Sequence, residues 1–166
     1  MIKVAINGFG RIGRASFKIA LANKNIEIVA INDLCPADNL AYLFKHDSVY
    51  GQYQGTVEAI GNNLVVDGKE YPVFAMTNPA ELPWKKLKVD VVLECTGVFT
   101  KKEEAESHFQ AGAKKVIISA PTKSDGVLTV VRGVNDADAK NEKLIANASC
   151  TTNCVAPIMA VLEANF

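Results

Sequence analysis

Two short stretches concentrate the side chains able to do chemistry. The first is Ala148-Ser149-Cys150-Thr151-Thr152-Asn153-Cys154, just where a helical pattern running from Thr151 to Asn165 begins. A cysteine in the first turn of a helix meets the positive end of the backbone dipole and nearby N–H groups, which favour the thiolate. Ser149 and Thr151 flank it with hydroxyls suited to holding a phosphate or a tetrahedral oxyanion. Free cysteines more often serve as packing residues, so a purely structural Cys150 stands beside the nucleophile as an alternative. Cys154, one turn further on, is expected to face the core.

The second stretch is Asn7-Gly8-Phe9-Gly10-Arg11-Ile12-Gly13, a G-x-G-x-x-G between a strand pattern and a helix pattern. Gly8 allows a tight exit from the strand, Gly10 lets a pyrophosphate touch the backbone, and Gly13 lets helix and sheet pack closely. The helix amino end then offers N–H groups and a positive dipole end to the phosphates. Asp33 follows about 20 residues on, at the end of the second strand, where a carboxylate can accept hydrogen bonds from a ribose. The plainer alternative is a glycine-rich structural turn beside an ordinary surface aspartate.

Both stretches need a scaffold, and the apolar pattern supplies one. Ile2–Ile6 and Ile26–Asn32 read as buried strands, with helices expected over Arg11–Asn23 and Ala37–Lys45. Strand, helix, strand at this spacing is a βαβ unit with parallel pairing. Thr56–Ile60, Leu64–Val66 and Tyr71–Ala75 alternate around Gly61-Asn62-Asn63 and Asp67-Gly68, which predicts a small antiparallel excursion. The parallel pattern resumes with a strand at Val89–Cys95, a helix near Lys101–Ala111 and a strand at Lys115–Ser119, followed by candidate strands at Leu128–Val131 and Lys143–Ala146. The expected fold class is α/β, a Rossmann-type doubly wound sheet, mostly parallel, with an antiparallel hairpin excursion.

Composition narrows the rest. With 166 residues, 49% of them hydrophobic and 22% charged, the chain suits one domain with its own core. Lys+Arg and Asp+Glu both number 18, so no net charge draws the chain to nucleic acid, which leaves that partner unsupported. No apolar run approaches the ~18 residues of a membrane span. The opening Met-Ile-Lys-Val-Ala-Ile already reads as a strand, which points to a cytoplasmic protein without a leader. Cys35, Cys95, Cys150 and Cys154 fit neither a zinc knuckle nor a disulfide framework, so no metal site and reduced thiols are expected. His108, in Glu106-Ser107-His108-Phe109, reads as a helix-surface residue, and His46 beside Asp47 as structural.

Together, NGFGRIGR and ASCTTNC resemble the glyceraldehyde-3-phosphate dehydrogenase family. Ala30-Ile31-Asn32-Asp33, Asp47-Ser48, Cys95-Thr96-Gly97-Val98-Phe99, Lys114–Pro121 and Gly133-Val134-Asn135 extend the resemblance along the chain in the family order. The resemblance implies NAD as cofactor, with Gly8, Gly10, Arg11, Ile12 and Gly13 at the pyrophosphate and Asp33 at the adenine ribose. It sets the backbone of Thr77 near the adenine, and Thr96, Gly97 and Ser119 along the dinucleotide. Cys150 would be the nucleophile, with Ser149 and Thr151 lining a phosphate pocket. Tyr50 stands where many relatives carry His.

The implied partners are glyceraldehyde 3-phosphate and inorganic phosphate, in a homotetramer when the protein is full length. Residues 1–149 would form the NAD-binding domain, and residues 150–166 the first helix of a catalytic domain. The family's general-base histidine falls downstream of the cysteine helix, so the chain alone is expected to bind NAD without turnover. Erythrose-4-phosphate dehydrogenase, which shares most of these motifs, and a non-catalytic nucleotide-binding module are the competing readings.

Overall fold

The computed structural model describes residues 1–166. Strand β1 (Ile2–Asn7) leads through helix α1 (Arg11–Leu21) to β2 (Ile26–Asn32), and α2 (Ala37–Lys45) follows. Next come β3 (Val57–Ile60), β4 (Asn63–Val66) and β5 (Lys69–Phe74), then a short helix α3 (Trp84–Leu87) and β6 (Val91–Glu94). After α4 (Lys102–Ala105) and α5 (Ser107–Gln110) the chain forms β7 (Lys115–Ile118), β8 (Leu128–Thr129), β9 (Leu144–Ala146) and finally α6 (Cys150–Asn165).

The strands form one sheet in the order β3-β4-β5-β2-β1-β6-β7-β9-β8. Only the β3–β4 and β4–β5 pairs are antiparallel; the other six are parallel. The expected class and the hairpin excursion are both present. The chain winds outward on one side of β1 and then returns to place β6 on the other. That reversal opens a crevice at the carboxyl ends of β1, β2 and β6, where open α/β sheets bind ligands.

Alternation along β1 divides the core. Val4 and Ile6 join a cluster with Phe17, Leu40 and Phe44, whereas Ala5 packs with Trp84, Val92 and Val116. This is the period-two consequence of a strand buried on both faces. Phe9, the middle residue of the glycine loop, is buried at 5.5 Å from the Phe17 ring and 5.9 Å from that of Phe44. Its ring thereby anchors the loop to the core.

Two expectations need correction. The single helix near Lys101–Ala111 is two short helices, because at Glu106 the bonding tightens to a three-residue step, Phe109 N–H donating to Glu106 C=O at 2.9 Å. His108 is also no surface residue: α5 turns it inward, and it is fully buried. No helix is long and apolar enough to cross a membrane.

Candidate functional site

The crevice is a cleft of about 400 Å³ lined by Asn7, Gly8, Gly10, Asn32, Asp33, Leu34, Met76, Thr77, Cys95, Thr96, Val98 and Phe99. Five sequence-predicted residues therefore meet there: Gly8, Gly10, Asp33, Thr77 and Thr96. Gly97, at φ +74°, lies between two of the lining residues. Arg11, Ile12 and Gly13 form the first turn of α1, whose amino end carries no side-chain cap. The N–H groups of that turn lack intrahelical partners and are available to an anion.

Each loop glycine has a distinct local reason. Gly8 sits at φ +89°, and a Cβ there would lie 2.6 Å from the Thr96 backbone nitrogen. A Cβ on Gly13 would lie 2.1 Å from the Gly8 carbonyl oxygen, whereas one on Gly10 would meet no protein atom within 4 Å. Gly10 is therefore bare towards open space, the surface a pyrophosphate would approach. Asp33 is oriented by two backbone donors, Phe9 N–H to Oδ2 at 2.6 Å and Cys35 N–H to Oδ1 at 2.9 Å. Phe9 thus ties the glycine loop to Asp33. The uncapped helix, the bare backbone and a fixed carboxylate suit a dinucleotide.

Arg11 is held beside the loop by Asp47, Nη1 to Oδ1 at 3.2 Å, and its guanidinium lies 6.0 Å from the centre of the Tyr50 ring. Asp47 accepts the N–H groups of Tyr50 and Val49 and faces Arg11, which together hold its carboxyl well below the usual carboxylate range. Tyr50, the departure from the family pattern, therefore packs with a residue beside the glycine loop.

Further along the same sheet edge, Ser119 follows β7, its N–H donating to Glu94 C=O at 2.9 Å. Ser149, Cys150 and Thr151 follow β9; none of these four lines the cleft. Ala148 takes the left-handed conformation, φ +57°, and turns the chain sharply from strand to helix. Ser149 caps α6 by accepting the Thr152 N–H at 3.0 Å. Asn153 Nδ2 braces the turn by donating to the carbonyls of Asn147 at 2.8 Å and Ser149 at 3.0 Å. Cys150 is exposed in the first turn, as the sequence predicts. Cys154 is exposed as well, against expectation, because no residue of α6 is buried and nothing in this chain packs over that face.

Sequence reasoning missed the polar floor of the cleft. Glu94 and His108 lie beneath it, both buried, with His108 Nε2 at 3.0 Å from Glu94 Oε2. The available signal was a carboxylate inside the apolar run Val91-Val92-Leu93-Glu94, which demands partners. Leu34, Val98 and Phe99 carried no such signal, since their place at the cleft depends on how distant segments meet.

Comparison with known proteins agrees with this geometry. Residues 2–102 match the family described as "Glyceraldehyde 3-phosphate dehydrogenase, NAD binding domain". The chain is 54% identical over 165 residues to a glyceraldehyde-3-phosphate dehydrogenase of Zymomonas mobilis, covering 98% of this chain and 49% of that protein. It is also 54% identical over 167 residues to the proteins so named from Geobacillus stearothermophilus and Clostridium pasteurianum, covering 99% and 100% of this chain and 50% of each relative. The chain thus spans about half the length of the curated relatives it matches. These matches show that this chain belongs to the NAD-binding domain family of glyceraldehyde 3-phosphate dehydrogenase.

Proposed function

We propose that this chain is the cofactor-binding part of a phosphorylating glyceraldehyde-3-phosphate dehydrogenase, an enzyme that makes 1,3-bisphosphoglycerate. The observation that carries this reading is Cys150, exposed in the first turn of α6 at the sheet edge that also bears the dinucleotide cleft. In this reading residues 1–149 bind NAD and residues 150–166 open a catalytic domain. The whole protein is a cytoplasmic homotetramer. Ile158, Val161 and Leu162, exposed along α6, support a partner for that face.

The Cys150 thiolate attacks the aldehyde carbon, forming a thiohemiacetal at Sγ. Ser149 and Thr151 offer hydroxyls to the substrate's oxygens. When bound, NAD supplies the hydride acceptor for oxidation to the thioester. Inorganic phosphate then attacks the thioester carbonyl, releasing the acyl phosphate and restoring the thiolate. Covalent capture keeps the oxidation energy in the thioester instead of losing it to water.

The test is the order in which the thiols react. Cys95 is pushed up to about 11 by burial, which outweighs its hydrogen bond with Ser119. The charge of Asp33 raises Cys35. Cys154 lies in the second turn of α6, whereas Cys150 meets the end of the helix dipole that favours a developing negative charge. Limited alkylation at neutral pH with peptide mass mapping should label Cys150 first. Prior labelling of Cys35 or Cys154 by a wide margin would overturn the assignment.

Asp33 also sets a cofactor preference. A carboxylate facing the 2′-phosphate of NADP costs about 1–3 kcal/mol, one to two decades in affinity. Calorimetric titration of the chain should therefore favour NAD, and Asp33→Ala should narrow the gap. Equal affinities in the unsubstituted chain would contradict this.

A further inference from the structure

Two chains of hydrogen bonds converge on Glu94 from opposite sides, and their directions follow from groups that can only donate. On one side the Met76 N–H donates to Asn32 Oδ1 at 2.9 Å. Asn32 Nδ2 then donates to Asn7 Oδ1 at 2.7 Å, and Asn7 Nδ2 to Glu94 Oε2 at 2.5 Å. On the other side the Trp84 indole N–H donates to His108 Nδ1 at 3.0 Å. That bond fixes the proton on Nε2, which donates to the same Oε2 at 3.0 Å.

The remaining oxygen, Oε1, accepts both the Thr96 N–H at 2.8 Å and the Thr96 hydroxyl. Thr96 Oγ1 in turn accepts the Val98 N–H at 3.0 Å. All four contacts of the Glu94 carboxylate are donors. None is an Arg or Lys, although Glu94, Asn7 and His108 are each buried. Assembling so many polar groups in a core costs stability unless every one is satisfied. Here the network ends on the 95–98 turn, three residues of which line the cleft.

We propose that Glu94 is a positioning residue for the NAD cleft, holding Thr96 and hence the 95–98 turn in the ligand-ready shape. His108, oriented by Trp84, acts as its strut. Glu94 fixes the turn at both its backbone and its side chain, so the cleft wall is set before the ligand arrives. Glutamine cannot replace it, because its amide N–H₂ would face either the Thr96 donors or those of Asn7 and His108.

The proposal rests on the cleft being the NAD site, which titration of the unsubstituted chain with NAD tests by itself. Calorimetric titrations of Glu94→Gln, Thr96→Val and the double variant Glu94→Gln/Thr96→Val then test the positioning role. Emission from Trp84, the sole tryptophan, reports whether each variant keeps its core. Glu94→Gln and Thr96→Val should each weaken NAD binding about tenfold, the scale of one lost hydrogen bond.

Because Glu94 acts through Thr96, the double variant should bind no worse than the weaker single one. A folded Glu94→Gln that binds NAD normally would overturn the proposal, as would losses that multiply to about a hundredfold in the double variant. If Glu94→Gln does not fold, His108→Phe takes its place in the same cycle, since that buried ring cannot touch a ligand. Unchanged affinity in His108→Phe would equally overturn the proposal.

Discussion

Mixed with glyceraldehyde 3-phosphate, NAD and inorganic phosphate, this chain alone is expected to form no NADH above a Cys150→Ser blank. Oxidising the thiohemiacetal requires a base to take its hydroxyl proton, and a positioned base contributes about 10²–10⁴-fold. Neither histidine of the chain is placed to serve. His108 is fully buried, with both ring nitrogens engaged by Trp84 and Glu94. His46 ends α2, with Gln52 at 3.4 Å from its ring.

The segment from Cys150 to Phe166 also contains no Lys, Arg or His, so no cation stands on α6 to hold a transferring phosphate. Losing such clamps removes further transition-state stabilisation. NAD itself should still bind, because the glycine loop, Asp33 and Thr96 are all in place. The measurement is absorbance at high protein concentration with and without phosphate. Phosphate-dependent NADH above the blank would mean that a group within these 166 residues reaches the cysteine after all.

The second large effect concerns the glycine loop, where stability and binding should separate. Gly8→Ala places a methyl group 2.6 Å from the Thr96 nitrogen and 2.7 Å from the Cys95 carbonyl carbon, on a backbone at φ +89°. Both neighbours are backbone, so neither can swing aside, and strain and overlap together should cost about 2–4 kcal/mol. Gly13→Ala, with its Cβ 2.1 Å from the Gly8 oxygen, should behave alike.

Gly10→Ala meets no protein atom within 4 Å at an ordinary φ of −71°. It should change stability by under about 1 kcal/mol, the scale of a helix-cap substitution. On the proposed reading its methyl group would stand on the surface a pyrophosphate approaches, so NAD affinity should fall by about tenfold or more. Urea unfolding and NAD titration of the three variants check both halves. A Gly8→Ala chain as stable as the parent, or a Gly10→Ala chain that binds normally, would refute the corresponding half.

What could be read from the sequence was whatever is encoded locally. The strand–glycine-loop–helix unit, the turns at Gly61-Asn62-Asn63 and Asp67-Gly68, and the helix start at Cys150 all depend on near neighbours, and they stand where expected. The position of Asp33 just after β2 was legible for the same reason, since it follows from the length of one βαβ unit.

What only the tertiary structure decided depends on strand order. Placing β6 beside β1 brings Glu94 to Asn7, 87 residues away, and the packing of α5 against β7 brings His108 to both Glu94 and Trp84. A histidine's neighbours along the chain cannot reveal that, so His108 read as a surface residue. The same holds in reverse for Cys154. Its place one turn beyond Cys150 suggested a core, yet burial requires a covering surface, and none of the nine strands or five other helices supplies one. Periodicity states which side of an element is apolar; only the arrangement of distant elements decides what, if anything, meets it.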